Sequence, residues 1–348
     1  MKIVVDDKIP YIREALAKIC NNVVYLEGAA ITNADILDAD ALIIRTRTIC
    51  NEQLLKNSKV SFIATATIGY DHLDTDYLKS AHITWTNCPG CNATSVGQYI
   101  HSCLLLLERE KGLNLSQTTI GIVGAGHVGQ AVIQALRPLG VKILVNDPPL
   151  QEKLEKVGNN NTNMFTPLEV LEAECNIISF HTPLTTSGKY PTFHLADTAF
   201  FSRLKKKPII INSSRGSVVD NNALMDAIKK QQIKDVIIDT WENEPNIHQE
   251  LLQSAYIGTP HIAGYSADGK ANATRMALQA LCKHFHLSAQ FEIHPPQPIL
   301  PKDFSSWNTK EKALFLYNPY NDSEPLKKHP ELFEHYRGNY PLRREFHL

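Results

Sequence analysis

Short apolar runs alternate with stretches whose apolar residues recur at helical spacing along most of the chain, the pattern of an α/β protein with parallel sheets. Residues 3–6 predict a strand and 11–20 a helix. Residues 41–45 predict a second strand, 52–56 a short helix and 62–65 a third strand, with this first unit ending near Cys91. Residues 92–110 then predict one helix, with Thr94 and Ser95 as candidate caps. Its run Leu104-Leu105-Leu106-Leu107 is heavily apolar for a surface helix, so it is expected to be buried on several sides, between domains or between subunits. After a strand at 119–123, a further strand–helix series runs to about Thr259. From about Phe291 the character changes: Pro295, Pro296, Pro298 and Pro301 precede a charged, aromatic tail ending in Arg343-Arg344-Glu345. Asn159-Asn160-Asn161 predicts a polar loop, and no internal repeat is present.

A length of 348 residues suggests two or three domains. An apolar share of 43% with 20% charged residues is that of a soluble globular protein. The net charge of −1 argues against a general nucleic-acid binder but leaves room for a local basic patch. The opening Met1-Lys2-Ile3-Val4-Val5-Asp6-Asp7 is too short and too acidic for a signal peptide and predicts a strand. No apolar run has the length to span a bilayer, so a cytoplasmic location is expected. Seven cysteines, odd in number and scattered, argue against a disulfide framework. Cys88-Pro89-Gly90-Cys91 has the spacing of half a zinc site, but no second such pair exists; a turn holding two thiols is expected, and no metal.

The strongest local motif is Gly121-Ile122-Val123-Gly124-Ala125-Gly126-His127-Val128-Gly129, which places glycines at 124, 126 and 129 in GxGxxG spacing. Their tasks are a tight turn, close approach of backbone to a pyrophosphate, and close packing of helix on strand. The spacing alone is weak; the context strengthens it. A strand precedes it, and Val128, Val132, Ile133, Leu136 and Leu139 follow at helical spacing up to Gly140. The start of such a helix offers free N–H groups and the positive end of its dipole to phosphates, which assigns Gly124, Gly126, His127, Val128 and Gly129 to a dinucleotide. A strand at 141–145 then leads to Asp147, 18 positions after Gly129, where an acceptor for the ribose 2′-OH belongs. A carboxylate there repels a 2′-phosphate, so the expected cofactor is NAD and not NADP. Because a complete α/β unit comes first, the cofactor domain is expected to be inserted into, or to follow, a separate substrate domain.

Three later segments share one layout, an apolar strand followed at once by polar residues. They are Ile209-Ile210-Ile211-Asn212-Ser213-Ser214-Arg215-Gly216, Val236-Ile237-Ile238-Asp239-Thr240-Trp241-Glu242-Asn243-Glu244-Pro245 and Ile257-Gly258-Thr259-Pro260-His261. Ligands of open α/β sheets bind beyond the carboxyl ends of strands, so Arg215, Glu244 and His261 can converge on one crevice. Oxidation of a 2-hydroxy acid needs these types. Histidine titrates near neutral pH and can take the hydroxyl proton. A carboxylate on its other ring nitrogen fixes the tautomer and stabilises the imidazolium. An arginine fork grips the substrate carboxylate. Singly, each residue is equally a surface charge or a loop residue; the joint pattern carries the reading.

Together with Gly69-Tyr70-Asp71-His72-Leu73-Asp74 and His181-Thr182-Pro183-Leu184, these segments resemble the D-isomer-specific 2-hydroxyacid dehydrogenase family over roughly residues 1–285. The resemblance implies a Rossmann-type NAD-binding domain (93–259) inserted in a smaller flavodoxin-like α/β substrate domain (1–92 and 260–288), with 289–348 a short C-terminal dimerisation segment. It implies Arg215, Glu244 and His261 as catalytic residues. Thr46, Thr67 and Tyr265 would touch substrate, and Asp147, Thr182, Ser213, Ser214, Arg215, Asp239 and Gly264 would line the NAD site, with Asp239 accepting from the nicotinamide amide. His181 would be a wall of that site and His72 structural.

Within the family, Pro89-Gly90-Cys91-Asn92-Ala93, Asp147-Pro148-Pro149, His261-Ile262-Ala263-Gly264-Tyr265-Ser266 and the tail Tyr340-Pro341-Leu342-Arg343-Arg344-Glu345 narrow the likeness to an enzyme of a phosphorylated sugar acid. Its phosphate needs cationic partners. Arg45 and Arg47, flanking Thr46, are candidates, with Arg343 or Arg344 beside them; the alternative is that the first two are solvated surface charges. A homodimer is expected, and neither a nucleic-acid nor a membrane partner. Another member of the family, such as a phosphoglycerate dehydrogenase, and a non-catalytic NAD-sensing scaffold stay open at this stage. The intact Arg215, Glu244 and His261 set argues against the scaffold.

Overall fold

Alternation along the strands decides which faces the helices must cover. In the computed structural model, which describes residues 1–158, 164–288 and 290–345, the chain divides into two compact units: Met1–Asn92 with Ser266–Gln297, and Ala93–Tyr265 with Pro298–Leu348. Asn159-Asn160-Asn161 lies outside the described residues.

The first unit is a five-stranded parallel sheet, β1 (Ile3–Asp6), β2 (Val23–Leu26), β3 (Ala41–Ile44), β4 (Phe62–Thr65) and β5 (Thr84–Thr86), in the order β2-β1-β3-β4-β5. Successive side chains of a strand leave on opposite faces. Ile3, Val5, Ile43 and Ala64 accordingly join one core, and Val4, Leu42, Ile44 and Ile63 the other. The first of these cores is closed by the helix Ala267–His284, through Ala271, Ala277, Leu278 and Leu281. A distant segment thus completes the sheet that the N-terminus begins. The two outer strands β2 and β5 were not among the predicted elements. Neither is fully buried; β5, Thr84-Trp85-Thr86, is short with a threonine at each end, whereas β2, Val23-Val24-Tyr25-Leu26, is apolar throughout and its pattern does not explain the miss.

The second unit is a six-stranded parallel sheet, β6 (Thr119–Val123), β7 (Lys142–Asn146), β8 (Ile177–Phe180), β9 (Ile209–Asn212), β10 (Asp235–Ile238) and β11 (Ile257–Gly258), in the order β11-β10-β9-β8-β6-β7. The order reverses at β6, whose neighbours are β7 on one side and β8 on the other, and a crevice at such a switch point is where α/β sheets bind ligands. The helix Ala93–Lys111 is buried from Val96 to Leu107 in this unit's core. It lies close on the helix His127–Leu136: a Cβ at Gly97 would come within 2.9 Å of the Ala131 carbonyl oxygen. Thr94 and Ser95 lie inside this helix and do not precede it.

The tail folds onto this second unit. Ala313 and Tyr317 join one face's core, and Leu326 and Phe333 the other. The Ser323 hydroxyl accepts from the Gly258 N–H at 3.0 Å, so the helix Tyr320–Lys328 covers the exposed edge of β11. Pro260 to Tyr265, expected with the substrate domain, belong to this unit too. None of the seven cysteines is in a disulfide, and Cys88 and Cys91 are buried. Among the described residues, no helix is long and apolar enough to cross a membrane.

Candidate active site

The glycine turn after β6 shows why each glycine is there. Gly124 has φ of 93°, and a Cβ on it would lie 2.8 Å from the His181 carbonyl. A Cβ at Gly129 would lie 2.0 Å from the Gly124 carbonyl oxygen, so the helix could not approach the strand. A Cβ at Gly126 would meet nothing, because this glycine faces open space. The helix His127–Leu136 starts with no side-chain cap, leaving N–H donors of its first turn to solvent or to a ligand; His127 is exposed and Val128 half-buried there.

Asp147 stands at the end of β7. Its carboxylate accepts from the Ala125 N–H at 2.7 Å and the Leu150 N–H at 2.9 Å, so it holds the glycine turn and caps the next helix. Each oxygen keeps a further lone pair. Beside it opens a cavity of about 1430 Å³, lined by Gly124, Gly126, Asp147, His181, Thr182 and Tyr190 among others. The Thr182 hydroxyl is buried without a partner in the protein, and an orphaned polar atom at a cavity wall is what a bound polar ligand would satisfy. Uncapped donors, open glycine, acidic strand end and unpaired hydroxyl together fit a dinucleotide.

At the other end of the sheet, Glu244 and His261 are brought together. His261 Nδ1 lies 2.8 Å from Glu244 Oε2 and 3.1 Å from Oε1. Burial pushes the Glu244 pKa upward, but the His261 bond, the Trp241 N–H bond at 2.9 Å and the nearby Arg337 charge outweigh it and hold it below the ordinary value. His261 itself has φ of 57°, an uncommon conformation for a residue with a side chain. Its turn is held by Asp239, buried to 1% exposure. That carboxylate accepts from the Thr259 hydroxyl at 2.7 Å, the Ile262 N–H at 2.7 Å and the Ala263 N–H at 3.0 Å. The structure thus gives Asp239, expected at the nicotinamide amide, the separate task of fixing the turn that carries His261.

Arg215 follows β9 and is exposed, with Nη1 donating to the Ser214 carbonyl at 2.8 Å. Its turn abuts that of Trp241: a Cβ at Gly216 would lie 1.9 Å from the Trp241 carbonyl oxygen. The Asn212 amide donates to Arg215 O at 3.0 Å and Gly216 O at 3.4 Å, tying the turn back to its strand. Ser213 and Ser214 are buried in the same turn, Ser214 donating to Asn212 Oδ1 at 2.9 Å. Gly264 and Tyr265 follow His261, both half-buried.

In the first unit, Arg45 Nε lies 3.2 Å from buried Asp6 Oδ2, while Thr46 and Arg47 are exposed just past β3. Thr67 Oγ1 donates to Gly69 O at 2.9 Å and meets Thr65 Oγ1 at 2.7 Å, which in turn meets His72 Nε2 at 2.9 Å. Arg343 is not placed as a phosphate ligand. It is 7% exposed, and its guanidinium donates to Gln98 Oε1, Ser95 O, Ile262 O, Ala263 O and Tyr265 O at 2.6–3.2 Å. Nothing in the sequence marks this use, because the acceptors, four backbone carbonyls and the Gln98 side chain, lie far up the chain.

Residues 105–263 match the family described as D-isomer specific 2-hydroxyacid dehydrogenase, NAD binding domain. Over 345 residues the chain is 54% identical to a protein of Bacteroides thetaiotaomicron named erythronate-4-phosphate dehydrogenase, covering 99% of this chain and 97% of that one. The chain belongs to the erythronate-4-phosphate dehydrogenase family. A member from Escherichia coli is 38% identical over 356 residues, covering 99% of this chain and 92% of its own length. Among solved structures, D-2-hydroxyisocaproate dehydrogenase superposes with a TM-score of 0.68 at 22% identity, over 82% of this chain and 97% of that one. D-lactate dehydrogenase from Aquifex aeolicus does so with a TM-score of 0.61 at 22% identity, over 82% and 96%. The fold is that of the D-2-hydroxyacid dehydrogenases, with a Rossmann-type NAD-binding domain, and the cofactor is NAD.

Proposed function

We propose that the chain oxidises 4-phospho-D-erythronate to (R)-3-hydroxy-2-oxo-4-phosphobutanoate with NAD, a step in the making of pyridoxal 5′-phosphate. The observation that carries the chemistry is the Glu244–His261 pair, 2.8 Å apart beyond the strand ends of the NAD-binding sheet. The substrate rests on 54% identity over nearly the whole chain to a protein named for it. The residues Gly124, Gly126, Asp147 and Thr182 would hold NAD, which when bound would supply the acceptor for the C2 hydride. His261 Nε2 takes the proton of the C2 hydroxyl, and Glu244 on Nδ1 supports the imidazolium that forms. Arg215 binds the substrate carboxylate and steadies the developing carbonyl. Thr46, Thr67 and Tyr265 complete the substrate contacts. Arg45, already paired with Asp6, has donors left for the phosphate.

The same reading includes a homodimer and a cytoplasmic location. The test is NAD reduction by the purified protein with 4-phosphoerythronate, 3-phosphoglycerate and D-lactate in parallel. The expected result is a kcat/KM at least tenfold higher on the first. Preference for either of the others overturns the substrate assignment, and no turnover on any overturns the enzyme. A monomer on sedimentation of that preparation removes the dimer, and activity recovered outside the cytoplasmic fraction removes the location.

A further inference from the structure

The tail contributes an arginine close to the Glu244–His261 pair. Arg337, in the helix Phe333–Gly338, places Nη1 3.6 Å from Glu244 Oε2, the same oxygen that lies 2.8 Å from His261 Nδ1. It also donates a hydrogen bond to the Tyr265 hydroxyl. Its other charged neighbour is Glu334, 3.8 Å away on its own helix. The pair sees two further charges, since buried Asp239 acts on His261 as well. Arg337 is carried on a firm mount: Phe333 is 1% exposed in the core, and six residues beyond Arg337, Arg343 grips the carbonyls of Ile262, Ala263 and Tyr265. The dehydrogenase family match ends at residue 263, so this cation lies outside the part of the chain that the family match covers.

We propose that Arg337 is a positioning residue for the oxidation, holding the Glu244 carboxylate and the Tyr265 hydroxyl in register with His261. The proposal rests on His261 being the base. Its cation shares Glu244 Oε2 with the ring, and a like charge there disfavours an imidazolium, so removing it should favour the charged ring. A lone carboxylate would favour the charged ring more strongly.

The test compares Arg337→Met and Arg337→Lys with wild type in two readouts. In Arg337→Met the acid limb of kcat/KM moves to higher pH by about half to one unit, the size of one partly screened charge. The limb of Arg337→Lys stays near wild type, because the charge is kept. The second readout does not depend on which substrate the enzyme takes: the His261 ring C–H resonance, assigned by its loss in His261→Ala, titrates at higher pH in Arg337→Met. Failure of the 4-phosphoerythronate assignment leaves this resonance shift intact, whereas an unmoved resonance in folded Arg337→Met overturns the role of Arg337. An equal loss of kcat/KM in both variants with no pH change overturns it too, by showing that Arg337 serves only the fold. If Arg337→Met does not fold by circular dichroism, Arg337→Gln replaces it, with the same expected and overturning results.

Discussion

His181 and His261 both follow strands of the same sheet, and their surroundings are opposite. His181, directly after β8, is 7% exposed and faces hydroxyls, Ser179 Oγ at 2.8 Å and Ser213 Oγ at 3.5 Å. Burial drives its pKa down to about 3, which favours the neutral ring. His261 is half-buried and has a carboxylate on Nδ1. Only the second ring has a counter-charge for a proton it takes up. The contrast teaches that a histidine at a strand end is a candidate base only with its partner. In sequence, His181-Thr182-Pro183 and Pro260-His261 both set a histidine beside proline at a strand end, and only the family likeness, which makes His181 a wall of the NAD site, separates them.

The largest expected effect breaks the comparison if it fails. His261→Ala should lower kcat by about 10²–10⁴-fold, the usual worth of general-base catalysis, while NAD still binds by fluorescence titration. Near-normal turnover would remove His261 from the mechanism. Next, Glu244→Gln takes away the counter-charge and disfavours the imidazolium, so the acid limb of kcat/KM should move to lower pH, opposite in sign to the Arg337→Met shift. An unmoved limb would uncouple Glu244 from His261.

The smallest effect concerns stability. His181 binds fewer protons folded than unfolded between about pH 3 and the ordinary value near 6.5, so stability rises with pH across that window and is lost as pH falls through it. His181→Gln should remove a penalty on the order of 2 kcal/mol at pH 5. It should leave the acid limb of the pH profile in place. Urea melts at pH 5 and pH 7 measure the first point. A pH dependence of stability identical to wild type would contradict a neutral buried ring.

The glycine turn and Asp147 were legible because everything they need is contiguous: strand, turn, helix and acid fall within one local unit. The Glu244–His261 pair was legible through strand layout and family likeness, although its geometry is tertiary. The task of Asp239 in fixing the His261 turn was not, since its partners are backbone N–H groups of Ile262 and Ala263 that no side-chain pattern announces. Arg337 was missed for a different reason: its partners are side chains, but it lies 93 positions from Glu244 in a tail that shows only charge and aromatics. The tail's attachment to the NAD-binding unit was also hidden. Leu326 is a single apolar residue in a polar stretch and Phe333 follows an exposed Leu332, yet Leu326 and Phe333 are both buried almost completely.

The clamp made by Arg343 has a consequence for the order in which the molecule is built. Synthesis proceeds from the N-terminus, and domains begin to fold as they emerge. The sheet that holds His261 has all its strands once residue 258 is out, but the carbonyls of Ile262, Ala263 and Tyr265 wait for a guanidinium translated 78 to 81 residues later. In a nascent chain the turn can therefore be held by Asp239 alone, through the Ile262 and Ala263 N–H groups, until the tail adds the second hold on its carbonyls.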